Sequence, residues 1–323
     1  MSLFDKRDSA MRRRTLRRVG VLAALAMSRP AEAGTFVDRI GERLDQLRAE
    51  LDDGAGDAST RAITLPAGAR VERDVAYGSD PAQRLDVYRP ASIAAGGAPV
   101  ILFLHGGGWR RGDKGMAQMI RNKAPHWLGK GFVFASANYR MLPDANAVQQ
   151  ADDAARALAF IQNRVEGWGG DPSRVVLVGH SACAHLVALM TADPSIATRQ
   201  GVKPWLATIA MDSAALDMVA IMSRPHYRFY DPVFGSDPAF WREASPTLRM
   251  VGKPAAPMLL VCSSRRSDSC PPAREFADKA KAFGGQVTVL PVDLGHLQIN
   301  DQLGTPGAYT DAIDAFLRTV GLP

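Results

Sequence analysis

Several things are scarce in this 323-residue chain, and each scarcity excludes something. The longest clean apolar run, Val19 to Met27, is about half of the roughly 20 residues that a membrane-spanning helix needs. Stable membrane insertion is therefore not expected. Net charge is also small once it is located along the chain. Residues 34–323 hold 31 of the 39 basic and 30 of the 33 acidic residues, so all but one of the six formal net positive charges sit at the front. The near-neutral body gives no electrostatic case for a nucleic-acid partner. Cysteine is rare, and three thiols allow at most one bridge within the chain. Apolar residues, by contrast, make up 46% of the sequence, enough to bury a sizeable core and to exclude a disordered or linker-like protein.

The first 33 residues read as an export signal. A basic stretch, Met11 to Arg18, precedes the apolar stretch Val19 to Met27, and Ala31-Glu32-Ala33 is a small-x-small cleavage pattern that leaves Gly34 as the first mature residue. Arg12-Arg13-Arg14 with Leu16 just downstream is similar to the twin-arginine type, although the usual Ser/Thr before the pair is missing. The expected location is the periplasm of a bacterium or its exterior. Within residues 34–60, Phe36, Ile40, Leu44, Leu47 and Leu51 recur at helical spacing and predict one amphipathic helix, followed by a Gly/Ala/Asp/Ser link. Residues 61–323 contain no repeat and count as one domain.

From Val71 the chain alternates short β runs with helical patterns. Val71–Tyr77 and Gln83–Tyr88 predict an opening hairpin. Unbroken apolar runs follow at Val100–Leu104, Phe132–Ala135, Val175–Val178, Trp205–Met211, Met258–Val261 and Val287–Leu290. Runs without polar alternation are strands buried on both faces, so the fold class is α/β, a doubly wound and mostly parallel sheet with helices on both faces. Ligands in such sheets bind beyond the carboxyl ends of the strands.

Chemistry-bearing residues stand at those ends. Val175–Val178 leads into Gly179-His180-Ser181-Ala182-Cys183 and then a helical pattern, which fits a nucleophile elbow in which small neighbours let a tight turn hold the serine hydroxyl above the sheet. Cys183 stands where a second glycine belongs and puts the elbow's geometry in question. After Leu104 comes His105-Gly106-Gly107-Gly108-Trp109, where consecutive glycines free backbone N–H groups to face an oxyanion. A phosphate loop is the competing account, but no Gly-Lys-Ser/Thr follows and the spacing is wrong for a dinucleotide fingerprint.

These two runs, together with Asn138–Pro143 and Gly169–Arg174, make residues 71–322 similar to an α/β-hydrolase of the hormone-sensitive-lipase-like carboxylesterase group. Small bacterial esterases and arylformamidase-like enzymes are the nearest types within it. The resemblance implies a serine carboxylesterase with neither cofactor nor metal, oxyanion-hole donors at Gly107, Gly108 and Ala182, and a Ser-His-Asp triad. Among six histidines, His296 in Asp293-Leu294-Gly295-His296 lies just past the last strand, where the fold delivers its base. For the acid, Asp268 in the loop after Met258–Val261 matches the family pattern of Asp, two residues and proline before a helix, with Asp293 as runner-up.

A cap insertion at about residues 212–250 is rich in Met and aromatic residues, which either roof an apolar pocket or pack as core. Its shortness favours small or medium esters, aryl esters among them, as the small-molecule partner. The alternatives are amide hydrolysis of the arylformamidase kind and a non-catalytic binding protein on the same fold. Cys262 and Cys270 flank the loop carrying Asp268, and either form a bridge or remain two free thiols. Cys183 reads as a small buried residue.

Overall fold

The computed structural model describes residues 63–323, and the signal and helix expected in residues 1–60 lie outside them. Each run expected as a strand from Val71 onward belongs to one eight-stranded sheet, in the order β1-β2-β4-β3-β5-β6-β7-β8. β1 (Arg70–Ala76) and β2 (Arg84–Arg89) form the hairpin, and β2 pairs antiparallel with β4 (Val133–Ala137). All later pairings are parallel, through β3 (Ala98–Leu104), β5 (Gly170–His180), β6 (Ala207–Met211), β7 (Met258–Ser263) and β8 (Val287–Val292).

Strand periodicity explains why the runs lack polar residues. In β3, Val100, Leu102 and Leu104 point into one core, and Ile101 and Phe103 into the other. The first core is closed by helices Ala147–Arg164, Ala182–Ala192 and Cys270–Ala282, and the second by helices Lys123–Gly129 and Ala308–Thr319. Asn146 starts the longest of these with a capping box, its side chain accepting from the Val148 and Gln149 N–H groups while Gln149 reaches back to its own N–H.

Between β6 and β7 the chain makes five short helical turns, Met218–Met222, Arg228–Tyr230, Asp231–Phe234, Pro238–Glu243 and Pro246–Arg249. Proline in the first turn and aspartate caps such as Asp217 and Asp237 account for so many starts in so few residues. Met218, Met222, Tyr230, Val233 and Phe234 of this segment are buried in the first core. The core-packing reading of the insertion therefore holds for these five side chains, while Tyr227, Phe229, Phe240 and Trp241 are only partly buried against the same core.

Candidate active site

Three strand ends converge on one point. Ser181 follows β5 with φ 56° and ψ −118° and is the N-cap of helix Ala182–Ala192. Asp212 follows β6 with φ 58°. His296 opens the helix His296–Gln302, three residues past Asp293, which directly follows β8. The Ser181 Oγ lies 2.9 Å from His296 Nε2, and His296 Nδ1 lies 2.5 Å from Asp212 Oδ2. With the proton on Nδ1 donated to Asp212, Nε2 is left to accept the serine proton. Ser181, Asp212 and the oxyanion-loop Trp109 are three of the four non-glycine residues with positive φ among those described. Such backbone strain gathers where the surrounding structure fixes a side chain's direction.

The expected acid is corrected here. Asp268 does not reach His296, because the Arg266 guanidinium holds it at 3.1 Å. Asp293, the runner-up, is also taken, by Arg265 at 2.8 Å. The loop from Cys262 to Cys270 instead surrounds Asp212. Asp212 Oδ1 accepts from the Ser263 N–H at 3.0 Å and from the Ser269 hydroxyl, and Oδ2 accepts from Arg266 Nη1 at 2.8 Å as well as from His296. Burial alone would raise the Asp212 carboxyl. The charge of Arg266, then the bonds from His296 and Ser269, reverse this and hold it well below the usual carboxylate range. Cys262 and Cys270 are bridged, with their Cα atoms 5.1 Å apart, so this cradle is a closed loop; Cys183 is the free, buried cysteine.

Cys183 does not spoil the elbow. A Cβ on Gly179 would fall 2.4 Å from the Cys183 carbonyl oxygen, so the strand passes against the helix backbone and the glycine is required at 179. The Cys183 side chain points into the core instead, where burial pushes its thiol up.

The triple glycine lies directly on the nucleophile. A Cβ on Gly106 would sit 2.9 Å from Ser181 Cβ, and one on Gly107, at φ 135°, would strike the Arg111 carbonyl oxygen at 1.8 Å. Gly106 is thus the glycine packed against Ser181, Gly107 and Gly108 follow it in the loop, and Ala182 opens the helix after the nucleophile. His105 is the loop's internal brace. It is buried, with Nδ1 2.8 Å from the Gly106 carbonyl and Nε2 3.1 Å from Asn138 Oδ1, and its own carbonyl accepts from the Tyr139 hydroxyl.

Trp109 ties the loop to the other parts. Its indole N–H donates to His185 Nδ1 at 3.2 Å, and His185 Nε2 is 2.7 Å from the Ala244 carbonyl in the insertion, which fixes a neutral His185. Burial pulls His185 down to about 4. The Trp109 ring meets Phe234 edge-on at 5.1 Å, so the insertion packs on the oxyanion loop. Of the remaining histidines, His126 and His226 face Asp314 and Asp231, and the buried His180 ring lies tilted against His296 at 4.7 Å and bonds its carbonyl. Among the described residues, no three His, Cys, Asp or Glu side chains are placed to hold a metal ion.

Comparison with known proteins bears on the fold and on the kind of protein this chain resembles. Residues 85–206 match the BD-FAE family model. Esterase LipC of Mycobacterium tuberculosis is 30% identical over 233 residues, 65% of this chain and 55% of that protein. The isoprenylcysteine alpha-carbonyl methylesterase ICME of Arabidopsis thaliana is 27% identical over 238 residues, 68% of this chain and 55% of its own. Among solved structures, esterase B from Lactobacillus rhamnosis superposes with a TM-score of 0.65 at 19% identity, over 89% of this chain and 95% of that one, which establishes the shared fold. The chain therefore shares the α/β-hydrolase fold with these esterases.

The chain spans about half the length of the two curated relatives above. Sequence reasoning missed one residue of its candidate site. Asp212 stands directly after a buried strand run, as Ser181 does, and Arg265-Arg266 just before Asp268 supply cations for competing carboxylates. Both signals were present in the chain.

Proposed function

We propose that this hydrolase is a serine carboxylesterase acting on small to medium carboxylic esters through an acyl-enzyme. The observation that carries the reading is the Ser181–His296–Asp212 alignment, with 2.9 Å and 2.5 Å between successive partners. His296 Nε2 takes the Ser181 proton as Oγ attacks the ester carbonyl, and Asp212 stabilises the imidazolium that forms. The carbonyl oxygen becomes an oxyanion facing the N–H groups of Gly107, Gly108 and Ala182. The imidazolium returns its proton to the leaving alkoxide, and a water activated the same way releases the acid.

The names of its relatives support the reaction class, since they are esterases and methylesterases, and one related structure is an esterase B inhibited by a tributyrin phosphonate. The packing of Tyr230 and Phe234 on Trp109 supports a short acyl site, because these aromatics are committed to the core and not to a movable roof. Ser181→Ala tests the reading. Hydrolysis of 4-nitrophenyl esters should fall below a few per cent with the fold retained, and a panel from acetate to palmitate should peak at the short end. Preferential cleavage of an N-formyl aryl amine would reassign the hydrolase to amides.

Export through a cleaved signal belongs to the same proposal. The Cys262–Cys270 bridge supports it, since such bonds persist in oxidising compartments. N-terminal sequencing of periplasmic protein should begin at Gly34, and intact Met1 there would contradict the proposal.

A further inference from the structure

Arg266 joins two carboxylates that arrive from the ends of neighbouring strands. Nη1 donates to Asp212 Oδ2 at 2.8 Å and Nη2 donates to Asp268 Oδ2 at 3.1 Å. The same Nη1 lies 3.0 Å from His296 Nδ1. As that nitrogen's proton is given to Asp212, the contact puts a cation against the imidazole and adds no hydrogen bond. Counting Ser263, Ser269 and His296, four donors fill the lone-pair positions of the Asp212 carboxylate, which is fully buried. A planar fork fixes the directions of its N–H bonds to two carboxylates, which a rotatable ammonium does not.

We propose, resting on the Ser-His-Asp reading, that Arg266 is a positioning residue of the triad: it clamps the Asp212 carboxylate in line with His296 and sequesters Asp268, which would otherwise compete for the imidazole. Its place is held by the chain around it. Arg266 lies inside the loop closed by the Cys262–Cys270 bridge, and the Ser263 and Ser269 that flank it bond the same carboxylate. Arg265 is turned outward to Asp293 and Gln298 and has no part in the clamp.

The clamp also has an electrostatic consequence. Facing the Asp212–His296 pair are Arg266 and Asp268 from the loop after β7, His180 from β5, Tyr230 from the insertion, Tyr309 from the last helix, and Lys123 behind His180. Arg266 is the cation in direct contact with both members of the pair. A cation there opposes protonation of the Asp212 carboxylate and repels a second positive charge on the ring beside it.

Arg266→Met and Arg266→Lys separate this role from simple packing. Turnover of a 4-nitrophenyl ester is measured across pH, with active sites counted by a phosphonate so that only competent protein is scored. Arg266→Met should lower kcat about ten- to a hundredfold, the scale of a small misplacement in a triad, with KM within about twofold. Its acid limb of kcat/KM should move up by about one pH unit. Arg266→Lys should return the acid limb to its original place, because the charge is restored, but only part of kcat, because an ammonium cannot fork. Parent kcat and an unmoved acid limb in Arg266→Met would overturn the proposal. Should that variant fail to fold, parent kcat in Arg266→Lys would do the same. Failure of the triad reading looks different, since Ser181→Ala would then stay active whatever Arg266 does.

Discussion

Replacing Asp212 and Asp268 separately by asparagine distinguishes the two carboxylates that the family pattern and the tertiary structure nominate. Asp212→Asn would keep the size of the side chain but carry one NH2 group into a ring of four donors, from Ser263, Ser269, Arg266 and His296. With the amide oxygen retained by the Ser263 and Ser269 donors in the place of Oδ1, the NH2 takes the place of Oδ2 and faces both Arg266 Nη1 and His296 Nδ1. It can only donate, so it favours the tautomer whose proton sits on Nε2, facing Ser181, and that imidazole cannot accept the serine proton. The cost expected from a triad held in the wrong tautomer is about 10⁴ in kcat, or about 5.5 kcal/mol at 1.36 kcal/mol per tenfold. Asp268→Asn instead removes one charged partner from Arg266 at a position that is a third exposed. The other partner, Asp212, remains, so less than a tenfold loss is expected. Steady-state hydrolysis of 4-nitrophenyl acetate, with active sites counted, measures both. Equal losses in the two variants, or more than about 1% of parent kcat in Asp212→Asn, would refute the assignment.

Gly107→Ala should cut turnover by about a hundredfold or more, since its Cβ would strike the Arg111 carbonyl at 1.8 Å and carry the oxyanion donors with it, whereas Gly108→Ala meets no atom and bears only the left-handed backbone cost at φ 59°, so it should lose less; equal turnover in the two would refute this. The double variant Cys262→Ser, Cys270→Ser should lose about 2–3 kcal/mol in denaturant unfolding, the chain-entropy value for so short a loop, and kcat should fall with it because the loop cradles Asp212; thiol counts on unreduced, denatured protein should give one, from Cys183. Burial pulls His185 down to about 4 from an unfolded value near 6.5, so the unfolded chain binds more protons in that window, and stability present above about 6.5 should fall towards pH 4 by about 1.4 kcal/mol per unit for this group. A melting temperature flat from pH 7 to 4.5 would contradict that sign.

The sheet was legible because its evidence is local. A strand buried on both faces must be apolar throughout, so runs such as Val100–Leu104 and Val175–Val178 announce themselves, and a parallel sheet needs the helical patterns between them. Ser181 and the glycines before Trp109 were legible for a related reason, since a tight elbow and a close backbone approach exclude side chains, and the chain must use small residues there. His296 followed from its place after the last strand. The acid was not determined this way. Asp212 and Asp268 both follow buried strands, and either side chain could be aimed at the imidazole by composition and spacing alone. The choice was made by Arg266, which binds both carboxylates and brings one of them into line, and by the bridged loop that aims Ser263 and Ser269 at that same group. The loop's contacts with Asp212 join residues more than fifty positions apart, so the sequence determined which groups are available for the chemistry, and packing decided which carboxylate faces the histidine.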